Sequence, residues 1–156
     1  LLEGAENQVL VAIDQLRELA HGIHPSVLTD LGLAEAIRSF TADSPVPIEL
    51  LELPSSRVDG GAEATAYYVI AEAVTNAQKH ARAEAIRIRV SRSSRALHVE
   101  VADDGLGGAD PRGSGLQGLR DRVEAVGGVL DVATARGRGT RIRALLPVGD
   151  AATLRS

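Results

Sequence analysis

Two periods divide the chain. Up to about residue 81 apolar positions recur every three to four residues, and from Ile86 onward they recur every second residue. The first part reads as helix. Val9, Ile13, Leu16 and Ala20, joined by Leu2 and Leu19, form an apolar seam over residues 1–21, which stops at His21-Gly22-Ile23-His24-Pro25. A short helix is expected over residues 31–41 with Asp30 as its N-cap, then a connector over 41–47, a strand over 48–53 and a loop over 54–61. A long helix over residues 62–81 follows. Beyond it, Ile86, Ile88 and Val90 alternate with Arg87 and Arg89, and Leu97, Val99 and Val101 alternate with His98 and Glu100. Each reads as a strand with one buried face, and residues 91–95 join the two. A helix over 116–126 ends at Gly127-Gly128, two further strands are expected over 129–133 and 140–146, and residues 149–156 read as a frayed tail.

Strands joined by short turns pair antiparallel, because a parallel pair needs a long crossover. The predicted fold is therefore α+β, a two-layer α/β sandwich with a mixed, mostly antiparallel sheet and helices on one face. Composition narrows the function. The 156 residues suit one main domain, 44% of them are apolar, and no apolar run approaches the roughly 20 residues that span a bilayer. No signal peptide is visible, and without cysteine there is no disulfide or thiolate metal site. A net charge of −4, with two tyrosines and one phenylalanine, argues against direct nucleic-acid binding. The chain opens in mid-pattern at Leu1 without methionine, which suggests a piece of a longer protein.

The chemistry gathers on the long helix and the turn after the second alternating strand. At 100° per residue Glu72, Asn76, Lys79 and His80 share one helical face, with Ala66, Ile70, Ala73 and Ala77 opposite. A carboxylate, an amide, an amine and an imidazole suit a metal and phosphates, although for the helix taken alone a plain solvated face is the commoner explanation. The inward phase of Leu97, Val99 and Val101 continues to Asp103. A carboxylate aimed at the buried side needs a donor, such as the exocyclic amine of a purine, although Asp also simply starts turns. Three glycine clusters follow, at Gly105-Leu106-Gly107-Gly108, Gly113-Ser114-Gly115-Leu116-Gln117-Gly118 and Gly137-Arg138-Gly139-Thr140. The middle one opens a helix, where free N–H groups attract phosphate. It is neither a Walker loop nor a Rossmann fingerprint.

In this order and spacing the segments resemble the ATP-binding domain of sensor histidine kinases, of the Bergerat-type fold and the GHKL ATPase superfamily shared with gyrase, the heat-shock chaperone and mismatch-repair MutL. Residues 72–80 resemble the N box, Asp103-x-Gly105-x-Gly107 the G1 box, 113–119 the G2 box and Gly137-x-Gly139-Thr140 the G3 turn. Leu16-Arg17-Glu18-Leu19, His24-Pro25, Gly32-Leu33 and the short interval between Gly108 and Gly113 are similar to the NarL-type subfamily. The resemblance implies ATP and Mg²⁺ as cofactors. Asp103 would accept the adenine amine, Asn76 would bind Mg²⁺, and Glu72 would act as a base or polarise the attacking group. Lys79 and His80 would contact phosphate or ribose, and Gly105 and Gly107 would let the chain pass close to adenine. Gly113, Gly115, Leu116, Gly118 and Leu119 would form the lid and phosphate cradle, and Thr140 would hydrogen-bond near adenine through water. It further implies a histidine protein kinase that is bacterial and cytoplasmic, a homodimeric parent with or without a membrane anchor, and a response regulator with a LuxR-like DNA-binding domain as partner.

On this reading residues 1–25 end a dimerisation and phosphotransfer hairpin, 26–148 form the catalytic domain and 149–156 a tail. One departure stands out. The family's phosphoacceptor histidine is followed by an acid, whereas His21, His24, His80 and His98 are followed by Gly, Pro, Ala and Val. The acceptor is therefore expected outside this chain. Two alternatives share the nucleotide boxes: a serine kinase of the anti-sigma-factor type, and a degenerate nucleotide site that only docks a partner.

Overall fold

In a computed structural model the described residues are 25–149 together with positions 4–6, 8, 9 and 12. Of the helix expected over 1–21 those six positions are helical; the remainder, and the tail beyond residue 149, lie outside the described residues.

The described domain runs α1 (Ser26–Leu31), α2 (Leu33–Thr41), β1 (Ile48–Glu52), α3 (Gly60–Lys79), β2 (Ile86–Arg92), β3 (Ala96–Asp103), α4 (Ser114–Ala125), β4 (Val129–Thr134) and β5 (Thr140–Pro147). The strands form one sheet in the order β1-β2-β3-β5-β4. Only β1 and β2 are parallel, and the long helix α3 is the crossover that joins them. The α+β class and the mostly antiparallel sheet with helices on one face are as the periodicity predicts.

Alternation decides which face is covered. Ile86, Ile88, Val90, Leu97, Val99, Val101, Ile142, Ala144 and Leu146 are buried beneath the helices. The opposite face carries a row of alternating charge across all five strands. Glu52 pairs in register with Arg89, Arg89 with Glu100, Glu100 with Arg143, and Arg143 with Asp131. Arg143 Nε lies 2.7 Å from Glu100 Oε2, while Arg89 Nε stands 4.0 Å from Glu52 Oε2. Opposite charges facing each other across strands contribute roughly 0.2–1 kcal/mol per pair, and they leave the uncovered face well solvated.

Two expectations need correction. The helix expected from residue 31 with an Asp30 cap is two helices, and Asp30 lies in the last turn of α1. Gly32 occupies the N-cap position of α2 at φ +91°, a backbone conformation that favours glycine, and the chain redirects there. Arg57 fixes this corner. Its guanidinium donates to the Leu28 and Thr29 carbonyls and, through Nε at 3.0 Å and Nη2 at 3.1 Å, to the buried carboxylate of Glu63. The long helix starts two residues earlier than expected. Asp59 caps it by accepting the Gly61 N–H at 2.9 Å, and it ends at Lys79 with His80 as C-cap. It is also more enclosed than a two-faced helix. Val69, Ala71 and Val74 are buried along with the predicted stripe of Ala66, Ile70, Ala73 and Ala77, because α2 and α4 flank it while the sheet lies beneath.

Candidate functional site

β3 ends at Asp103 and β5 begins at Thr140, and the two residues are ladder partners. Both continue the inward phase of their strands, Asp103 after Val101 and Thr140 before Ile142. A carboxylate and a hydroxyl therefore stand side by side at the edge of the apolar layer. Asp103 Oδ1 accepts the Gly105 N–H at 2.9 Å. That bond fixes the carboxylate and leaves Oδ2 to meet a ligand. Above this edge opens a cleft of about 440 Å³. Its apolar walls are Ala73, Ala77, Val101, Leu116 and Ile142; its polar groups are Asn76, His80, Asp103, Asp110, Ser114 and Thr140; its rim is made by residues 107–110 and 113–115. A mostly apolar cleft with a fixed acceptor in its lining suits a flat heteroaromatic base.

Another part of the cleft wall suits an anion. Gly113 is the N-cap of α4 in extended conformation, and among the described residues no side chain caps the helix. The first-turn N–H groups therefore carry the partial positive charge of the helix end without an internal acceptor. Asn76 and His80, one turn apart at the end of α3, flank the same space. Ala73 and Ala77, expected on the opposite face of the helix, line it as well, because at 100° per residue they lie within about 100° of Asn76 and His80. Among the described residues no cluster of three or more His, Cys, Asp or Glu could hold a metal by itself.

The thirteen residues singled out in the sequence separate into groups. Asn76, His80, Asp103, Gly107, Gly113, Gly115, Leu116 and Thr140 line the cleft together. Glu72 lies behind the rim. A Cβ at Gly115 would stand 2.8 Å from Glu72 Oε1, so this glycine lets the start of α4 approach the carboxylate. Lys79 is exposed at the end of α3. Leu119 is buried in the core, and Gly118 is exposed with open space around its Cα. Gly105 faces the end of α3 rather than the cleft. A Cβ there would lie 2.2 Å from the Ala81 carbonyl oxygen, which accepts the Leu106 N–H. Gly107 does line the cleft, but its conformation is set by another neighbour. At φ +63° a Cβ would meet the Ala135 carbonyl oxygen at 2.0 Å, so glycine lets the turn seat on the β4–β5 hairpin.

Two residues that matter to this geometry, Asp104 and Thr134, have no role in the sequence reading, and a third, Gly139, figures there only as part of the G3 turn. Asp104 Oδ1 accepts the N–H groups of Glu84 at 2.8 Å and Ala85 at 3.0 Å, pinning the start of β2 to the turn after β3. The Ala85 amide above all holds its carboxyl below the usual carboxylate range, with the Glu84 amide adding to the effect. Gly139, at φ +72°, seats the hairpin on Asp103: a Cβ would lie 1.9 Å from the Asp103 carbonyl oxygen. The Thr134 hydroxyl accepts the Gly108 N–H at 2.8 Å and lies 3.0 Å from the Thr140 hydroxyl. Two threonines flanking Ala135-Arg136-Gly137-Arg138-Gly139 at the strand ends were the one signal in the sequence for that contact.

The family of histidine kinase-, DNA gyrase B- and HSP90-like ATPases matches residues 61–150, more than half of the chain. The chain belongs to this family. ATP is the ligand that membership implies, and the matched segment holds every cleft residue named above. The chain is also 32% identical over 148 residues to the oxygen sensor histidine kinase NreB of Staphylococcus carnosus, a match covering 88% of the chain and 43% of that protein, so it spans less than half of this relative. Solved structures show the same fold. The blue-light activated histidine kinase of Erythrobacter litoralis EL346 superposes with a TM-score of 0.62 at 24% identity, over 79% of this chain and 42% of that one. The histidine kinase AdeS of Acinetobacter baumannii gives 0.62 at 17% identity, over 96% and 84%. The resemblance to sensor kinases read from the glycine clusters is borne out. No helix among the described residues is long and apolar enough to cross a membrane.

Proposed function

We propose that the chain is the ATP-binding catalytic domain of a two-component sensor histidine kinase. Residues 1–25 belong to a dimerisation and phosphotransfer hairpin, 26–148 form the catalytic domain and 149–156 a tail. The parent is a bacterial homodimer whose catalytic domain works in the cytoplasm. It passes the γ-phosphoryl group of ATP to a histidine outside this chain and from there to a response regulator of the LuxR-like DNA-binding type. The observation that carries this reading is Asp103, held by the Gly105 N–H in the lining of a mostly apolar cleft and laddered to Thr140.

Each cleft group then has a task. The Asp103 carboxylate accepts a base amine while Val101, Ile142 and Ala77 cover the ring faces. The N–H groups at the start of α4 receive phosphate oxygens, with His80 and Lys79 supplying further donors near the end of α3. Mg²⁺ fits this donor set, because it takes few protein oxygens and completes its shell with phosphates and water. The Asn76 amide oxygen would hold it, and the ion would neutralise phosphate charge. Glu72, one turn before Asn76 and behind Gly115, would take the proton that the acceptor imidazole loses as its nitrogen bonds to phosphorus and the bond from phosphorus to the bridging oxygen of ADP breaks, or would polarise the attacking group.

The test is Asp103→Asn. Its amide oxygen can keep the Gly105 N–H, which turns the NH₂ toward the cleft, where it opposes the base amine. Loss of a charge-assisted hydrogen bond costs on the order of 1.5–3 kcal/mol, or roughly ten- to a hundredfold in affinity. Calorimetric titration with ATP should show that loss while the circular dichroism spectrum is unchanged. Undiminished ATP affinity in the folded variant refutes the assignment.

A further inference from the structure

Thr134 closes β4, Thr140 opens β5, and the two are ladder partners across the hairpin. We infer that Thr134 is a positioning residue: its hydroxyl anchors the start of the segment that rims the cleft, at Gly108 and Ala109, and directs the hydroxyl proton of Thr140 into the cleft. The second half of this inference rests on the ATP-site reading; the first half stands on the hydrogen bonds alone.

The argument is an account of one hydroxyl. A threonine oxygen has one proton to give and two lone pairs to receive. Thr134 Oγ1 receives the Gly108 N–H at 2.8 Å and the Ala109 N–H at 3.3 Å, which engages both lone pairs. Its own proton has two acceptors within reach, Thr140 Oγ1 at 3.0 Å and the Gly139 carbonyl oxygen at 3.4 Å. The second lies beyond the usual range for a hydroxyl donor, so the proton goes to Thr140. Thr140 Oγ1 is then the acceptor of that bond, and its own proton turns toward the cleft it lines. Beside it stands Asp103, an acceptor whose Oδ1 is already held by Gly105. The cleft thus presents an acceptor and a donor side by side. That pattern complements an amidine-like edge, an amine next to an unprotonated ring nitrogen, as an aminopurine carries.

The same bonds place the rim. Gly107 and Gly108 both have positive φ, at +63° and +74°. Consecutive residues in this region leave their N–H groups turned away from regular partners, and the Thr134 oxygen collects two in succession. Without it the backbone from Gly108 onward loses its fixed point on the sheet, and the approach of Gly113 and α4 to the cleft is no longer set from this side.

The experiment uses the full 156-residue chain with Thr134→Val, an isosteric change suited to a strand, and Thr134→Ser, which keeps the hydroxyl. Thr134→Ala removes the hydroxyl without setting a methyl against the Gly108 amide, and makes the same test if valine perturbs folding. Amide hydrogen exchange without nucleotide should show Gly108 and Ala109 exchanging at least about tenfold faster in the valine variant, with the core strands unchanged and serine restoring the wild-type rate. In calorimetric titration, valine should weaken ATP about tenfold and narrow the preference for ATP over GTP, again with rescue by serine. Thr140→Val should add little on top of Thr134→Val, because the two hydroxyls act as one unit. Unchanged exchange at Gly108 and Ala109 overturns the anchoring role. Additive losses, or an unaltered preference for ATP over GTP, overturn the orienting role. If wild type itself fails to bind ATP, the ATP-site reading falls with the orienting role, and the exchange measurement still decides the anchor.

Discussion

Replacing Gly139 by alanine tests how firmly the hairpin is seated on the Asp103 end of β3. Two costs arise. At φ +72° a side chain is disfavoured by about 1 kcal/mol. The new Cβ would also stand 1.9 Å from the Asp103 carbonyl oxygen and 2.9 Å from its carbon, and both are backbone atoms that no rotamer change can move aside. Clearing that overlap takes a shift of more than about 1 Å at the Asp103–Thr140 rung, which sacrifices one or two ladder hydrogen bonds at about 1 kcal/mol each. The sum is about 3 kcal/mol. Gly137→Ala is the matched control. Its φ is +76°, but nothing lies within 4 Å of the added Cβ, so only the conformational cost of about 1 kcal/mol applies. In urea unfolding, with a slope of roughly 1.5–2 kcal/mol/M, the midpoint should fall by about 1.5–2 M for Gly139→Ala and by about 0.5 M for Gly137→Ala, the slope itself unchanged. In the absence of urea, Gly139→Ala should also weaken ATP at least about tenfold, since the displaced rung carries Asp103. Equal midpoint shifts for the two variants would refute the claim that backbone contact at Gly139 fixes the site.

Further outcomes are expected. On the proposed role of the Asn76 amide oxygen as a Mg²⁺ ligand, Asn76→Ala should weaken Mg²⁺–ATP by about tenfold or more while leaving adenosine affinity within about twofold; titration with the two ligands checks this, and equal losses would point to misfolding. Asp104→Asn should be less stable than wild type near neutral pH, by under about 1 kcal/mol given the exposure of the group. The Asp104 carboxyl is lowered on folding, so its contribution is present above the unfolded value of about 3.9 and is lost as pH falls through the folded value. The two stability curves should therefore converge on the acid side, and a gap that widens there would reverse the sign. Gly118→Ala, in the interior of α4 with open space around it, should raise stability by roughly 0.5–1 kcal/mol in thermal or urea unfolding. A loss there would mean that α4 packs more tightly around this position than its surroundings show.

Periodicity alone determined a good deal about this protein. Alternating apolar residues in β2 and β3 gave the strands, their buried face and the inward phase of Asp103, because a pleat has a period of two whatever lies across from it. Glycines after strands and before a helix marked the turns, and their order carried the family resemblance. What the tertiary structure decided are matters between segments far apart in sequence. Gly105 and Gly107 look alike in the sequence, yet one yields to the Ala81 carbonyl at the end of α3 and the other to Ala135 on the hairpin. Gly118 sits in the same glycine cluster as Gly115, yet only Gly115 has Glu72 behind it. The α1–α2 corner at Gly32 escaped the sequence reading because a six-residue helix is too short to show a period, and because its C-terminal carbonyls are met by Arg57, about 28 residues away. The partnership of Thr134 with Thr140 appears only once β4 and β5 are in register. Local periods are written by neighbours along the chain, whereas a hydrogen bond or a forbidden Cβ is written by whatever the fold brings within 4 Å.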